Sequence, residues 1–304
     1  MRRDGPGTPG MLWRTARWGA ERRFRRARLG RERSVAFAGS MRIRVRLDDA
    51  VGREIFVHGT SEYYLAAVLE RLLAPGETAV DVGANVGEHT LRAARRVGPA
   101  GTVVAVEPQP EVFRALQRSV AENGFADRVR LICAAASDRE GEGLLYLPEH
   151  AGNSGLATLE ADSPRAGGAA LGGGAARLHV PLIRLDDVLV GLAAVSLIKV
   201  DVEGHERPAL AGAERTVAAF RPAILFEADA DSAAWTDPGS TTAVLQGLGY
   251  EVFGIVGHGP RWRLEALASR PPLERLRERW KGPRYPINLV ALDPSDPRAE
   301  AAGS

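Results

Sequence analysis

Short apolar runs separated by amphipathic stretches and turn residues dominate this chain. Residues 42–47 and 54–57 are brief apolar or alternating bursts that predict a small β-hairpin. Ser61 is placed to cap a helix through Tyr63, Leu65, Val68, Leu69 and Leu72, which Pro75-Gly76 ends. A regular alternation follows: strand 78–82, helix 88–97, strand 102–107, helix 110–122, strand 128–133. It resumes with strand 177–185, a short helix opened by Asp186-Asp187, strand 195–200, helix 206–219, strand 223–227, helix 239–248, and strands 250–256 and 287–292. Such alternation predicts an α/β fold, doubly wound, with helices on both faces of a mostly parallel seven-stranded sheet.

Between residues 160 and 176 the pattern dissolves into Ala, Gly, Ser and Pro, including Gly172-Gly173-Gly174, which predicts a flexible surface loop. The domain reading is therefore a basic arm over 1–40, hairpin and helix over 41–75, a catalytic domain over 76–293 interrupted by that loop, and a disordered tail over 294–304.

Composition changes this picture in three places. The first 34 residues hold 11 Arg against Asp4, Glu21 and Glu32, a net of +8 in a chain whose total is +2, so the remainder carries −6. That remainder is a poor partner for a polyanion, and nucleic acid is not an expected substrate. Among 40 basic residues only Lys199 and Lys281 are lysine, so a lysine at 199 is not a casual choice. The single cysteine, Cys133, lies in an apolar run and excludes an internal disulfide, consistent with a reducing compartment. No apolar run reaches membrane-spanning length and the N-terminus lacks a signal-peptide core, so a soluble cytoplasmic enzyme is expected.

The strongest chemical signal is Asp81-Val82-Gly83-Ala84-Asn85-Val86-Gly87, a strand tip followed by a glycine-punctuated turn and a helix. Such a turn presents backbone N–H groups to a nucleotide-like ligand. Glu107 closes the next strand, where a carboxylate can accept both hydroxyls of a ribose. The turn lacks the G-x-G-x-x-G of a dinucleotide site, and a carboxylate at Asp81 would repel a pyrophosphate while suiting the ammonium of a methionine moiety. S-adenosylmethionine (SAM) therefore fits better than NAD.

The second signal is Lys199-Val200-Asp201-Val202-Glu203-Gly204-His205-Glu206, a run of charge at the end of a strand that should be buried. Charge in that position is costly unless it is paired or used. Lys199 and Asp201 share a strand face, and an ion pair there can hold Asp201 ionised. Asp201 is the first candidate to position or deprotonate an acceptor, with Glu203 second and His205 as the alternative base; a structural network, and a helix-capping His205, compete with those roles. No dedicated metal-ligand cluster stands out beyond Asp201, Glu203 and Glu227 or Asp229.

In this order, DVGANVG, EPQPEVF, ASDREG, LDDV, IKVDVEGHE, RPAILFE and LGY resemble the FkbM family of SAM-dependent methyltransferases over about residues 60–292. The resemblance implies the class I, Rossmann-like methyltransferase fold and O-methylation of a hydroxyl on a sugar, polyketide or other natural product. It implies that Asp81, Gly83, Asn85 and Gly87 form the SAM loop, that Glu107 holds the ribose, that Ser137 and Asp138 lie near the adenine, and that Asn153-Ser154-Gly155 lies near the site. N-methylation on the same fold, and a non-catalytic scaffold anchored by the arm, stay open.

The arm, with Leu12, Trp13, Ala16, Ala20, Phe24 and Ala27 loosely on one side of a possible helix, has three readings: a solvated extension, a helix on an anionic membrane surface, or an RNA-binding or targeting segment. On the membrane reading, the protein co-sediments with vesicles containing anionic lipid, does not co-sediment with neutral ones, and loses binding on deletion of residues 1–34; binding that survives the deletion excludes it.

Overall fold

A computed structural model describes residues 32–147, 152–161, 176–228, 239–258, 261–266 and 287–298. The basic arm up to residue 31, the 162–175 stretch with its three glycines, and Asp229 lie outside the described residues.

The chain opens with an antiparallel hairpin, β1 (Glu32–Phe37) and β2 (Met41–Arg46). Met41, Ile43 and Val45 turn inward while Arg42, Arg44 and Arg46 stay outside, the period of two expected of a half-buried strand. The hairpin therefore begins earlier than predicted, inside the segment assigned to the arm. Residues 54–57 are not its second strand: they belong to α1 (Ala50–His58), which Asp49 caps at its N-terminus and which buries Gly52 and Ile55 on one face. The apolar burst Ile55-Phe56-Val57 has strand character locally, but the cap and the 3.6-residue period of the buried positions decide the outcome.

Next come α2 (Tyr63–Leu72), β3 (Thr78–Val82), α3 (Glu88–Val97), β4 (Thr102–Val106), α4 (Pro110–Glu122) and β5 (Val129–Ile132). The short β6 (Ala135–Ala136), β7 (Gly141–Tyr146) and β8 (Arg177–Ile183) form a separate three-stranded sheet. The chain continues through α5 (Leu185–Val188), β9 (Leu197–Val200), α6 (Glu206–Ala211), α7 (Glu214–Phe220), β10 (Ala223–Ala228), α8 (Thr241–Gly247), β11 (Glu251–His258), β12 (Arg261–Ala266) and β13 (Ile287–Leu292).

The main sheet runs β12-β11-β13-β10-β9-β3-β4-β5. It is parallel from β10 to β5, and β13 inserts antiparallel between β10 and β11. Seven of the predicted strands lie in this sheet, and β12, whose sequence alternates charged Arg261, Arg263 and Glu265 with Trp262, Leu264 and Ala266, extends it by one at the edge beside β11. The predicted helix 206–219 is two helices, parted where Ala213 leaves helical geometry at φ −113°, and Gly212 beside the break packs so closely that a Cβ there would lie 2.0 Å from the Ser137 carbonyl oxygen. Residues 294–298 are no loose tail: Arg298 donates to the carbonyls of Leu72 at 2.7 Å and Ser196 at 3.4 Å.

Strand parity sorts the core into two faces. Ala79, Val103, Leu197 and Leu225 point to the face covered by α2, α3, α4 and the hairpin, while Val80, Val104, Ile198 and Ile224 point to the opposite one. The order reverses direction between β3 and β9, and in open parallel sheets that is where the ligand cleft forms. Among the described residues no helix is long and apolar enough to cross a membrane.

The placement of α1 is testable at Gly52. Ala for Gly in a helix interior ordinarily stabilises by about 1 kcal/mol, but a Cβ here would lie 2.0 Å from the Arg46 carbonyl oxygen. Gly52→Ala is expected to destabilise by roughly 1–3 kcal/mol, the usual range for overpacking, read as a lower Tm; an unchanged or higher Tm refutes the packing of α1 on β2.

Candidate active site

A cleft of about 1110 Å³, including its open mouth, lies over the C-terminal ends of β3, β4 and β9. Its first wall is the turn after β3. Gly83 adopts φ 74° and lies where a Cβ would be 1.8 Å from the Asp201 carbonyl oxygen, so only glycine fits. Asn85 also sits in the left-handed region, at φ 47°, which its side chain supports by accepting from the Val86 N–H at 2.8 Å. Gly87, at φ 99°, starts α3 against Leu116.

Glu107 stands at the tip of β4, buried. One carboxylate oxygen accepts from the Asn85 N–H at 2.9 Å and the other from the Gln109 N–H at 2.9 Å, leaving one lone pair on each. Burial pushes the group up to about 7, against the pull of those two N–H donors and of Lys199.

Lys199 lies at the centre of the floor. It is 2% exposed and adjacent to Asp81 in the β3–β9 register. Its Nζ donates to the Gly83 carbonyl at 3.0 Å and lies 3.2 Å from Asp81 Oδ1 and 3.3 Å from Asp201 Oδ2. Thr90 Oγ1 donates to the other Asp81 oxygen at 2.6 Å. Burial alone would lower Lys199; Asp81, Asp201 and Glu62 outweigh it and hold the ammonium above its usual range.

The predicted Lys199–Asp201 pair therefore forms, yet it does not have the predicted effect on Asp201. Burial, with the nearby charge of Glu62, raises Asp201 despite the attraction of Lys199. Asp201 also belongs to an acidic group, since one carboxylate oxygen each of Asp201, Glu203 and Glu227 lie within 4.8 Å of one another. Oxygen ligands so spaced can gather round a hard cation. The turn that carries Glu203 is held by Glu206, whose Oε1 accepts from the Val202 and Gly204 N–H groups at 3.2 and 3.1 Å.

Two assignments move. His205 lines the cleft, but both ring nitrogens are engaged, Nδ1 with Glu160 at 2.6 Å and Nε2 with Ser137 Oγ at 3.0 Å, so neither is free to serve as a base. Ser137 is fully buried on that histidine, Asp138 bonds Ser137 and faces Arg139, and neither lines the cleft; Ala134, Ala135 and Ala136 do.

Other groups gave no signal as site residues. Ser61 does not cap α2: its N–H and Oγ donate to Glu88, while Glu62 occupies the cap position. The Glu62 carboxylate takes His89 Nε2 at 2.9 Å and Asn288 Nδ2 at 3.2 Å. Burial alone would raise Glu62, but His89, Lys199 and Asn288 bring it down to about 2, and Glu62 in turn holds His89 up against burial. Gln109 Nε2 donates to the Ser154 carbonyl at 2.9 Å and Asn85 Nδ2 to Ser154 Oγ at 3.4 Å, which brings the Asn153-Ser154-Gly155 segment onto the cleft wall.

Comparison with known proteins bears on this site. The Methyltransferase FkbM domain matches residues 81–252. The chain is 32% identical over 222 residues to 31-O-demethyl-FK506 methyltransferase FkbM of Streptomyces tacrolimicus, covering 66% of this chain and 80% of that one. It is 34% identical over 155 residues to methyltransferase sdnD of Sordaria araneosa, covering 44% of this chain and 60% of that one. The crystal structure of methyltransferase FkbM from Methylobacillus flagellatus KT aligns at 16% identity and TM-score 0.41, over 80% of this chain and 55% of that one. The matched span begins at the strand-tip acid Asp81, contains the whole Lys199–Asp201 strand and ends on β11, and on that ground the chain belongs to the FkbM methyltransferase family and is a SAM-dependent methyltransferase.

Proposed function

We propose that the cleft binds SAM along the β3–β4 rim and transfers its methyl group to a hydroxyl of a sugar, polyketide or related small molecule held at the β9–β10 rim. The observation that carries this reading is the Lys199 cluster, which sets two carboxylates of different environment side by side: Asp81, tied by Thr90 and Lys199, and Asp201, which also borders Glu203 and Glu227. The name of the Streptomyces relative puts its chemistry on an oxygen, which supports O-methylation here.

The donor groups suit the cofactor. Glu107 has an unused lone pair on each oxygen for a ribose diol, Gly83 to Val86 of the turn line the cleft beside it, and the alanines at 134–136 offer an apolar bed for a flat base. SAM, when bound, supplies an electrophilic methyl on a sulfonium. Asp81, buried beneath the cleft and paired with Lys199, does not line it; Asp201 and Glu203, which do, favour the positive charge of the methionyl ammonium and the sulfonium. Asp201, raised by burial, is placed to take the acceptor's proton, while Glu203 and Glu227 accept hydrogen bonds from neighbouring hydroxyls and orient the attacking oxygen. Lys199 keeps this group of carboxylates from repelling one another.

Calorimetric titration is expected to show binding of SAM and none of NAD, with Asp81→Ala and Glu107→Ala each weakening SAM; no binding of SAM by the wild-type protein overturns the assignment. The affinity should depend on pH with a defined sign. If the ionised Glu107 receives the ribose, protonation as pH falls through about 7 removes that acceptor, so Kd rises about tenfold from pH 8 to pH 6, a slope that Glu107→Gln abolishes.

For turnover, Asp201→Asn is expected to lower kcat on a responsive hydroxyl acceptor by about 10²–10⁴, the usual worth of a general base, while SAM affinity stays within about threefold. A variant that keeps full kcat removes Asp201 from the mechanism, and loss of wild-type activity in EDTA would turn the acidic trio from an acceptor rim into a cation site.

A further inference from the structure

We propose that Asp49, outside the span matched to the family, is a positioning residue for the cofactor: its carboxylate fastens a strap, residues 152–157, over the cleft and so holds Gln109 and Glu107 in place. The inference rests on the proposed SAM site and adds to it a residue that touches no reacting atom.

The strap is attached to α1 at two points. Asp49 Oδ2 accepts from the Ser154 N–H at 2.6 Å, and the Ala50 N–H donates to the Gly152 carbonyl at 2.6 Å. The approach is close enough that a Cβ on Gly152, at φ 131°, would lie 2.4 Å from the Asp48 carbonyl oxygen. The other Asp49 oxygen accepts from the Gly52 N–H at 3.3 Å and caps the helix. One carboxylate thus serves two tasks, which needs two acceptor oxygens.

Beyond Ser154 the chain of contacts leads to the ribose end of the cleft. The Ser154 carbonyl accepts from Gln109 Nε2 and its Oγ from Asn85 Nδ2, and the backbone N–H groups of these same two residues, Gln109 and Asn85, hold the oxygens of Glu107. Val51, Ser154, Gly155 and Leu156 line the cleft, with Ser154 beside Asn85 of the glycine turn. Releasing Asp49 therefore frees the strap, lets Gln109 rotate, and lets water reach a carboxylate that is otherwise buried. The consequence is a loss of preorganisation in cofactor binding, with the acceptor rim untouched.

Asp49→Ser separates the two tasks, because serine caps helices as well as aspartate but has a single short hydroxyl. The variant is expected to keep its Tm within about 2 °C. Its Kd and KM for SAM should rise about tenfold, the loss typical of one charge-assisted hydrogen bond, with kcat at saturating SAM unchanged. Gln109→Ala should weaken SAM similarly, and the double variant should be no weaker than the worse single one, because both break the same chain of contacts.

The proposal is overturned if Asp49→Ser binds SAM within twofold of wild type, or if the two substitutions add fully. If Asp49→Ser fails to fold, Gln109→Ala decides alone: SAM affinity within twofold of wild type overturns the proposal, and a tenfold loss at unchanged Tm supports it. Failure of the underlying site looks different, since then the wild-type protein itself does not bind SAM.

Discussion

The constraint on which the site depends is a single ammonium buried in the middle of a parallel sheet. Lys199 and Asp81 occupy the strand positions that, one step earlier at Leu197 and Ala79, point into the apolar core beneath α2 and α3. An isolated charge there would cost several kcal/mol in lost hydration, and removing one partner from a buried pair leaves the other uncompensated at a similar cost. The fold meets this by surrounding Nζ with two carboxylates and a carbonyl, and each of those acceptors belongs to a different part of the site: Asp81 to the β3 tip, Gly83 to the glycine turn, Asp201 to the acceptor rim. Because one cation fixes all three, the distance between the cofactor rim and the acceptor rim is set by the sheet register and not by loops.

A second layer of charge stabilises the first. Glu62, partly exposed, pairs with the buried His89, and Asn288 of β13 completes the Glu62 carboxylate. The pair joins the linker before α2 to the N-terminal turn of α3, and Glu88, the neighbouring residue, accepts from Thr60 and Ser61 in the same linker. The N-terminal helices are thereby docked onto the helix that follows the glycine turn through His89 and through the Glu88 carboxylate at its first position, where the helix dipole favours negative charge.

The sheet was legible in the sequence because parallel strands buried on both faces read as near-continuous apolar runs, a signature that 102–106 carries throughout and that 78–82 and 197–200 carry apart from Asp81 and Lys199. The glycine turn was legible for a related reason: Gly83 and Gly87 sit where a side chain is sterically forbidden, a demand visible at single-residue resolution. What escaped was tertiary. Residues 54–57 have the local composition of a strand and became helix through a cap at Asp49; β12 needed β11 beside it before its alternation meant anything; Ser137 was placed by the family resemblance, and only the fold shows it hydrogen-bonded to a histidine 68 residues away. Glu62 and Asp49 were illegible for the same reason, since a carboxylate's partner across the chain leaves no trace in its neighbours.

The two rims also differ in what kind of order they use, and this bears on how the fold can change substrate without losing its chemistry. The cofactor side is built largely from backbone: the N–H groups of Asn85 and Gln109 aim Glu107, and the turn is shaped by φ angles that only glycine or asparagine adopts readily. The acceptor side is built from side chains, with Glu203 held at φ 56° in a region costly for a glutamate and stabilised there through its own carbonyl, which accepts from Thr158 Oγ1 at 2.8 Å. Thr158 lies just past the strap and is anchored apart from it, by backbone bonds in both directions to Tyr146 at 2.8 and 3.1 Å. A substitution at Thr158 can therefore re-aim Glu203 while the strap, the Lys199 cluster and the glycine turn stay where they are.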